Sequence, residues 1–110
     1  MELNDRHCAP MGKGAPPLTE PEENQYLNEV DGWRLVRQGT HRLVREIMFT
    51  SYMDGTAFVE KLAALSDAEQ HHPDIHLYYK RVIIELYTHA VGGLSINDFI
   101  LASKIDVLTH

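Results

Sequence analysis

The chain has little cysteine, few basic residues and no long apolar run, and each shortage excludes a class of protein. Its 110 residues include one cysteine, Cys8, so no disulfide can form within the chain. No apolar run approaches the roughly 18 residues of a membrane-spanning helix, and the first residues lack the apolar core of a signal peptide. These features predict a soluble, cytoplasmic protein.

Positive charge is scarce as well. Lys and Arg number 10 against 16 Asp and Glu, which gives a formal net charge of −6. An acidic chain is not attracted to nucleic acid or to an anionic membrane surface, so we expect neither as a partner. The length of 110 residues and the hydrophobic content of 44% fit one globular domain that buries a single core.

Glycine, proline and a lack of large apolar residues set the beginning of the chain apart. Residues 1–17 include two glycines and three prolines, and this composition predicts a flexible leader that contributes no core residue. His7 and Cys8 could bind a metal there, although the composition favours a disordered tail. The single domain is then expected to span residues 18–110.

Capping signals and hydrophobic spacing predict seven elements in that domain. Helices are expected to begin at Thr19, Ser51 and Ser95, the first ending at Asp31 and the second at about Glu69. Apolar and β-branched runs predict strands over residues 33–37, 41–49, 75–79 and 82–89. The order α-β-β-α-β-β-α predicts an α+β fold, a four-stranded antiparallel sheet with three helices packed on one face.

The alternation within the strands predicts which side chains face the core. In the second strand Ile47 and Phe49 are the better core candidates. In the fourth strand the apolar set faces the helices, which places His89 on the opposite face. The members of that apolar set are Val82, Ile84, Leu86 and Thr88.

Histidines concentrate between residues 70 and 89, which hold four of the seven in the chain. Histidine exchanges protons near neutral pH because its unperturbed pKa is about 6.5. Pro73 follows the pair His71 and His72, and two glycines follow His89 after two residues, where a backbone could approach a ligand closely. The pattern favours three imidazoles brought to one pocket for acid–base chemistry.

Other interpretations of the pair remain open from the pattern alone. It could be an ordinary corner between helix and strand, or a zinc site, although adjacent helical residues do not share a face as paired zinc ligands do. The remaining candidates have ordinary explanations: His76 and Asp67 exposed to solvent, Tyr79 in the core and Asp98 as the capping partner of Ser95.

The same residues resemble the pterin-4a-carbinolamine dehydratase family. The resemblance runs from about Leu18 to Val107 and rests on a combination of short motifs. They are His71-His72-Pro73-Asp74, Tyr79, Thr88-His89, Gly93-Leu94-Ser95 with Asp98, the segment Asp98 to Asp106, and Gly32-Trp33.

The resemblance implies a reaction and a set of roles. The substrate would be a 4a-hydroxytetrahydropterin, the product of aromatic amino acid hydroxylases, which loses water to give quinonoid dihydropterin without a metal or an organic cofactor. His71 and His89 would be the acid–base pair, with His72 supporting catalysis and holding the pterin. Members form dimers or tetramers. The resemblance implies a substrate site formed by Pro73, Thr88, Ala90, Val91, Asp67 and Asp98.

Three positions depart from the family pattern. Asn97 stands where animal members carry arginine, Gln70 replaces a commonly acidic residue, and Ile75 replaces an aromatic residue. The alternative function is that of a protein-binding module, because animal members of the family also stabilise dimers of a transcription factor. A metal-dependent hydrolase is a third hypothesis, which the ligand spacing disfavours.

Overall fold

The computed structural model describes residues 2–109, so Met1 and His110, the outer ends of the predicted leader and domain, lie outside the described residues. Three helices and four strands follow one another in the predicted order. Two short 3-10 turns, Leu3–Asp5 and His89–Val91, lie before and within this series. The helices are α1 (Glu20–Leu27), α2 (Tyr52–Glu69) and α3 (Ile96–Leu108), and the strands are β1 (Arg34–Val36), β2 (Arg42–Met48), β3 (Asp74–Leu77) and β4 (Arg81–Leu86).

The strands form one antiparallel sheet in the order β1-β2-β4-β3. The long central pair, β2 and β4, runs in register from Leu43 opposite Leu86 to Met48 opposite Arg81. Helices α2 and α3 pack against each other, and α2 also packs against β3 and β4. The predicted fold class is confirmed.

Side-chain caps begin all three helices, as the sequence predicts. Thr19 and Ser95 each form a capping box, and the Ser51 hydroxyl accepts the amide of Asp54, the third residue of α2, at 3.2 Å. Helix α1 is shorter than predicted and ends at Leu27. The amides of Glu29 and Val30 bond to carbonyls three residues back, which tightens the turn beyond α-helical geometry.

The core lies between the helices and one face of the sheet. The predicted face of β4 is confirmed, since Val82, Ile84 and Leu86 are fully buried. The prediction for β2 is confirmed only in part, because Ile47 and Phe49 pack against the core but are partly buried, whereas Leu43 is fully buried. Leu43 lies beside Leu86 in the sheet, whereas Phe49 follows the last residue of β2.

The beginning of the chain also reaches the core. Leu3 is 4% exposed and belongs to the main hydrophobic cluster. The Leu3–Asp5 turn packs on α3, where Lys104 Nζ donates to the Asn4 carbonyl at 2.8 Å. The expectation that residues 1–17 contribute no core residue is therefore wrong, because composition does not register one anchored leucine. The division into a flexible leader and a domain over residues 18–110 stays a prediction.

Over residues 2–109, none of the helices has the length and apolar character needed to cross a membrane.

Candidate active site

The chain turns sharply where α2 ends, immediately before the histidine pair. Gln70 adopts the left-handed conformation, with φ 52° and ψ 39°, and the amide of His71 donates to the Ser66 carbonyl at 3.2 Å. Pro73 disfavours helical geometry at His72. The turn gives the two adjacent histidine rings different partners.

Asp98, at the start of α3, is the centre of a buried network that we call the Asp98 cluster, formed with His71, Thr88 and Ser95. Its Oδ1 lies 2.6 Å from His71 Nε2. Its Oδ2 accepts the Thr88 hydroxyl at 2.8 Å and the Ser95 backbone N–H at 2.9 Å. The Asp98 side chain is 0% exposed, and three donors compensate the buried carboxylate.

The direction of these hydrogen bonds fixes the form of His71. A carboxylate only accepts, so Nε2 of His71 carries the proton and Nδ1 is left for another partner. Thr88 donates its single proton to Asp98, so its oxygen accepts from the Ser95 hydroxyl at 2.7 Å. The His71 side chain is 13% exposed, so a small part of it reaches solvent.

His72 has the opposite surroundings. Its Nε2 lies 2.9 Å from Oδ1 of Asp67, two residues before the end of α2. The side chains of His72 and Asp67 are 59% and 80% exposed. The predicted exposure of Asp67 is confirmed, and the pair stands in solvent.

His89 lies outside the strand on which the sequence predicted it. β4 ends at Leu86, and Thr88 forms an isolated bridge with Gly93, so that residues 89–91 form a 3-10 turn closed by Gly92 at φ 71°. His89 is exposed, and over residues 2–109 no hydrogen bond or ion pair links its ring to His71 or His72. The residue before His89, Thr88, donates a hydrogen bond to Asp98, so the backbone at His89 is attached to the Asp98 cluster.

The structure divides the remaining predicted residues. Pro73, Ala90 and Val91 are half-buried, and the Ala90 carbonyl accepts the Gly14 amide at 3.3 Å. His76 is exposed as predicted and pairs with Glu85 at 2.7 Å.

The prediction for Tyr79 is wrong, because the residue is exposed rather than in the core. It lies in the turn after β3, which ends at Leu77, so its ring is outside the packed face.

Two cavities of about 200 and 280 Å³ lie elsewhere in the molecule. The first is lined by residues 2–4, Glu29 and two residues of α3, and the second by Gly32 and four residues of the sheet. Neither includes a predicted site residue. A single pocket that holds all three imidazoles therefore stays a prediction.

Sequence reasoning missed a second group of contacts beside the cluster. The residues His7–Ala9, which we call the N-terminal strap, lie against the end of α2 and the start of α3. The Cys8 amide and the His7 ring each bond to the Glu69 carboxylate at 2.8 Å. Ala9 exchanges two hydrogen bonds with the Asn97 side chain, at 3.0 and 2.7 Å. In the sequence Asn97 stands out as a departure from the family pattern, and His7 and Cys8 as possible metal ligands, but neither observation predicts these contacts.

The thiol in the strap is not a ready metal ligand. Burial and the neighbouring Glu69 raise the pKa of Cys8 to about 12, so the thiolate that binds metals is not formed near neutral pH. Within residues 2–109, no three His, Cys, Asp or Glu side chains converge in an arrangement that could hold a metal ion.

The chain matches known proteins over almost its whole length. The family model for pterin 4 alpha carbinolamine dehydratase matches residues 16–108. The chain belongs to this family. Two relatives, provisionally named pterin-4-alpha-carbinolamine dehydratases, come from Chlorobium luteolum and Nitrosomonas eutropha. They are 39% and 42% identical over 97% of this chain, and over 95% and 93% of their own lengths. Such coverage includes most of the residues before position 16.

Two solved structures share the fold of this chain. A crystal structure of a transcriptional coactivator/pterin dehydratase from Brucella melitensis is similar with a TM-score of 0.80 and 29% identity, over 86% of this chain and 99% of that one. A pterin dehydratase-like protein identified as a RuBisCO assembly factor in the alpha-carboxysome is similar with a TM-score of 0.60 and 28% identity, over 70% and 88% of the two chains.

Proposed function

We propose that the chain dehydrates a 4a-hydroxytetrahydropterin to the quinonoid dihydropterin, with His71 and His89 as the acid–base pair. Membership of the dehydratase family supports the reaction class. The observation that carries the proposal is the 2.6 Å contact between His71 and the buried Asp98, which holds one imidazole in one tautomer with its other nitrogen available.

The reaction asks for two proton transfers. The bond from C4a to the hydroxyl breaks, and the oxygen leaves as water after it takes a proton from the acid. The base removes the proton on N5, and the electron pair of that bond forms the double bond between N5 and C4a. Imidazole suits both transfers because its ordinary pKa lies near neutral pH. His71 offers Nδ1 for one transfer, and the exposed His89 serves the other.

The other predicted residues divide between contact and positioning. We assign the exposed His72 to holding the pterin, beside Pro73 and the backbone of Ala90 and Val91. Thr88 and Asp98 are almost fully buried and their polar atoms bond within the Asp98 cluster, so they act on substrate through His71. They are positioning residues in this proposal.

The test follows the decay of 4a-hydroxytetrahydropterin by ultraviolet absorbance, with and without the protein. His71→Ala and His89→Ala should each slow the catalysed reaction by about 100-fold or more, since each removes a proton-transfer group. His76→Ala is the matched control, because this exposed histidine pairs with Glu85 and has no assigned role. Turnover like that of the wild type in either of the first two variants would exclude the role assigned here.

A protein-binding role is the second candidate. The solved relatives described as a coactivator and as an assembly factor support it. So do large exposed apolar side chains in this chain, among them Met48, Met53 and Tyr79. Wild-type protein that leaves the decay unchanged would favour this candidate. The proposal also includes an aromatic amino acid hydroxylase as the source of the substrate and assembly of the chain as a dimer or tetramer. A measured mass in solution tests the assembly.

A further inference from the structure

The N-terminal strap meets the site at two buried anchors. Glu69 is the last residue of α2, two positions before His71, and Asn97 immediately precedes Asp98 on α3. Both anchor side chains are buried, and both bond to the strap. The strap thereby joins the two chain segments that supply the two ends of the contact between His71 and Asp98.

The Glu69 anchor binds the strap by charge-assisted hydrogen bonds. Burial raises the pKa of Glu69, but the Cys8 amide, the His7 ring and the charge of Lys104 together lower it below its usual value of 4.5. The carboxylate is therefore ionised near neutral pH and holds the Cys8 amide through one oxygen and the His7 ring through the other. The end of α2 is fixed to the strap in this way.

The Asn97 anchor recognises the strap through its backbone. The side-chain amide accepts the Ala9 N–H and donates to the Ala9 carbonyl, the pattern of one residue in a β-ladder. The Cys8 thiol also lies 3.4 Å from the Asn97 carbonyl, which it can reach as a weak donor. These contacts need no particular side chain at residue 9, but they require its amide proton and its carbonyl.

We propose that the N-terminal strap, with Glu69 and Asn97, positions His71 against Asp98, so that the beginning of the chain is part of the catalytic unit. Its effect on rate rests on the proposed function, whereas its effect on His71 does not. A ring misplaced by about 1 Å can lose much of its catalytic advantage, so release of the strap lowers the rate of a site whose residues are all present.

Two variants separate the strap from its anchors. Asn97→Ala removes both side-chain bonds to Ala9 while the backbone of α3 is unchanged. Ala9→Pro removes the Ala9 amide proton and leaves every residue of α3 in place, so it tests the same contact even if the first variant folds poorly. The matched control is His41→Ala, which removes a 2.8 Å bond to the buried Glu23 and shares no partner with the strap.

Two readouts are compared in protein labelled with ¹⁵N on histidine. The first is the proton resonance of His71 Nε2–H, which the contact with Asp98 protects from exchange. The second is the division of any rate loss between kcat and KM. We expect both strap variants to broaden or shift the resonance and to lower kcat about tenfold with KM little changed. The control is expected to keep both at wild-type values.

The proposal is overturned if the strap variants leave the His71 resonance unchanged. It is also overturned if His41→Ala lowers the melting temperature as much as the strap variants do and changes the His71 resonance to the same extent. It is also overturned if the resonance changes while kcat of an active protein does not. A wild-type protein without dehydratase activity would refute the proposed function alone, because the resonance still reports whether the strap positions His71.

Discussion

Two neighbouring histidines each pair with an aspartate, and the two pairs differ in almost every other respect. The contact between His71 and Asp98 is 2.6 Å long, with side chains 13% and 0% exposed. The contact between His72 and Asp67 is 2.9 Å long, with side chains 59% and 80% exposed. Both pairs join a histidine to an aspartate, and the two histidines are adjacent in the chain. The pairs therefore differ because of burial and because Asp98 has further hydrogen-bond partners.

The difference shows what a buried carboxylate adds to an imidazole. Asp98 is held by Thr88 and Ser95 as well, so it can fix both the tautomer and the direction of the His71 ring. An exposed pair of this kind contributes about 0–1 kcal/mol and is screened by salt, so Asp67 restrains the His72 ring only weakly. A firmly held ring suits proton transfer at one atom, whereas a weakly restrained ring can adjust to a bound ligand.

The largest expected effect breaks the buried pair and leaves the exposed pair intact. Asp98→Asn should lower kcat of the dehydration by about 100-fold, because an amide cannot accept the three donors that now converge on the carboxylate. Asp67→Asn should change kcat by no more than about threefold, since the pair it removes is solvated. Ultraviolet absorbance gives the rates, and circular dichroism gives the folded fraction.

Asp98→Asn also separates the role of Asp98 at the site from its role in capping α3. Asp98 accepts the Ser95 amide in the capping box, a bond that an asparagine oxygen can also accept. If Asp98→Asn lowers only the melting temperature, and the rate of the folded protein is unchanged, Asp98 is a cap without a role at the site.

Much of this arrangement follows from local sequence rules. Ser95 and Asp98 form the predicted capping box, and the alternation in β4 gives the buried face correctly. The second bond of Asp98, to Thr88, could not be predicted, because it depends on the turn that brings the end of β4 beside α3. The apolar spacing continued past Leu86 and therefore extended the strand to His89, whereas the bridge of Thr88 to Gly93 ends it.

Long-range contacts explain the other failures. Composition marked residues 1–17 as a leader, but Leu3 reaches the core and the strap reaches Glu69 and Asn97, which lie more than 60 residues away in sequence. A propensity rule counts residue types within a window and cannot register a partner so distant. The same limit applies to Tyr79, whose strand ends two residues earlier than the pattern indicates.

A smaller effect is expected when Asp98 keeps His71 but loses its other side-chain partner. Thr88→Val removes the hydroxyl that donates to Oδ2 and fills almost the same volume. It should lower kcat about tenfold through a less firmly held Asp98, with KM little changed. Thr88→Ser is the matched control, since it restores the hydroxyl. Equal rates in the valine and serine variants would show that this hydroxyl does not support the buried pair.

The third pair, His7 with Glu69, combines an exposed ring with a buried carboxylate, at 78% and 6% exposure. This pair tests whether burial of the carboxylate alone is enough for a pair to contribute to the free energy of unfolding. Although burial raises the pKa of Glu69, bonds from Cys8 and His7 leave it lower than the usual 4.5. The folded state therefore binds the proton more weakly than the unfolded state does, and Glu69 contributes stability above pH 4.5 that is lost as the pH falls through its lower folded value.

The smallest expected effect follows from that sign. Glu69→Gln should lower the free energy of unfolding at pH 6, and the gap to the wild type should narrow as the pH falls below 4.5, because protonation removes the charge that the substitution removes. Urea unfolding at a series of pH values measures the gap. Glu60→Gln, which removes the same charge from an exposed position on α2, is the control. If the difference in free energy of unfolding between the two proteins stays constant with pH, the charge of Glu69 does not hold the strap. The hydrogen bonds and packing of the side chain would then matter more than the buried charge.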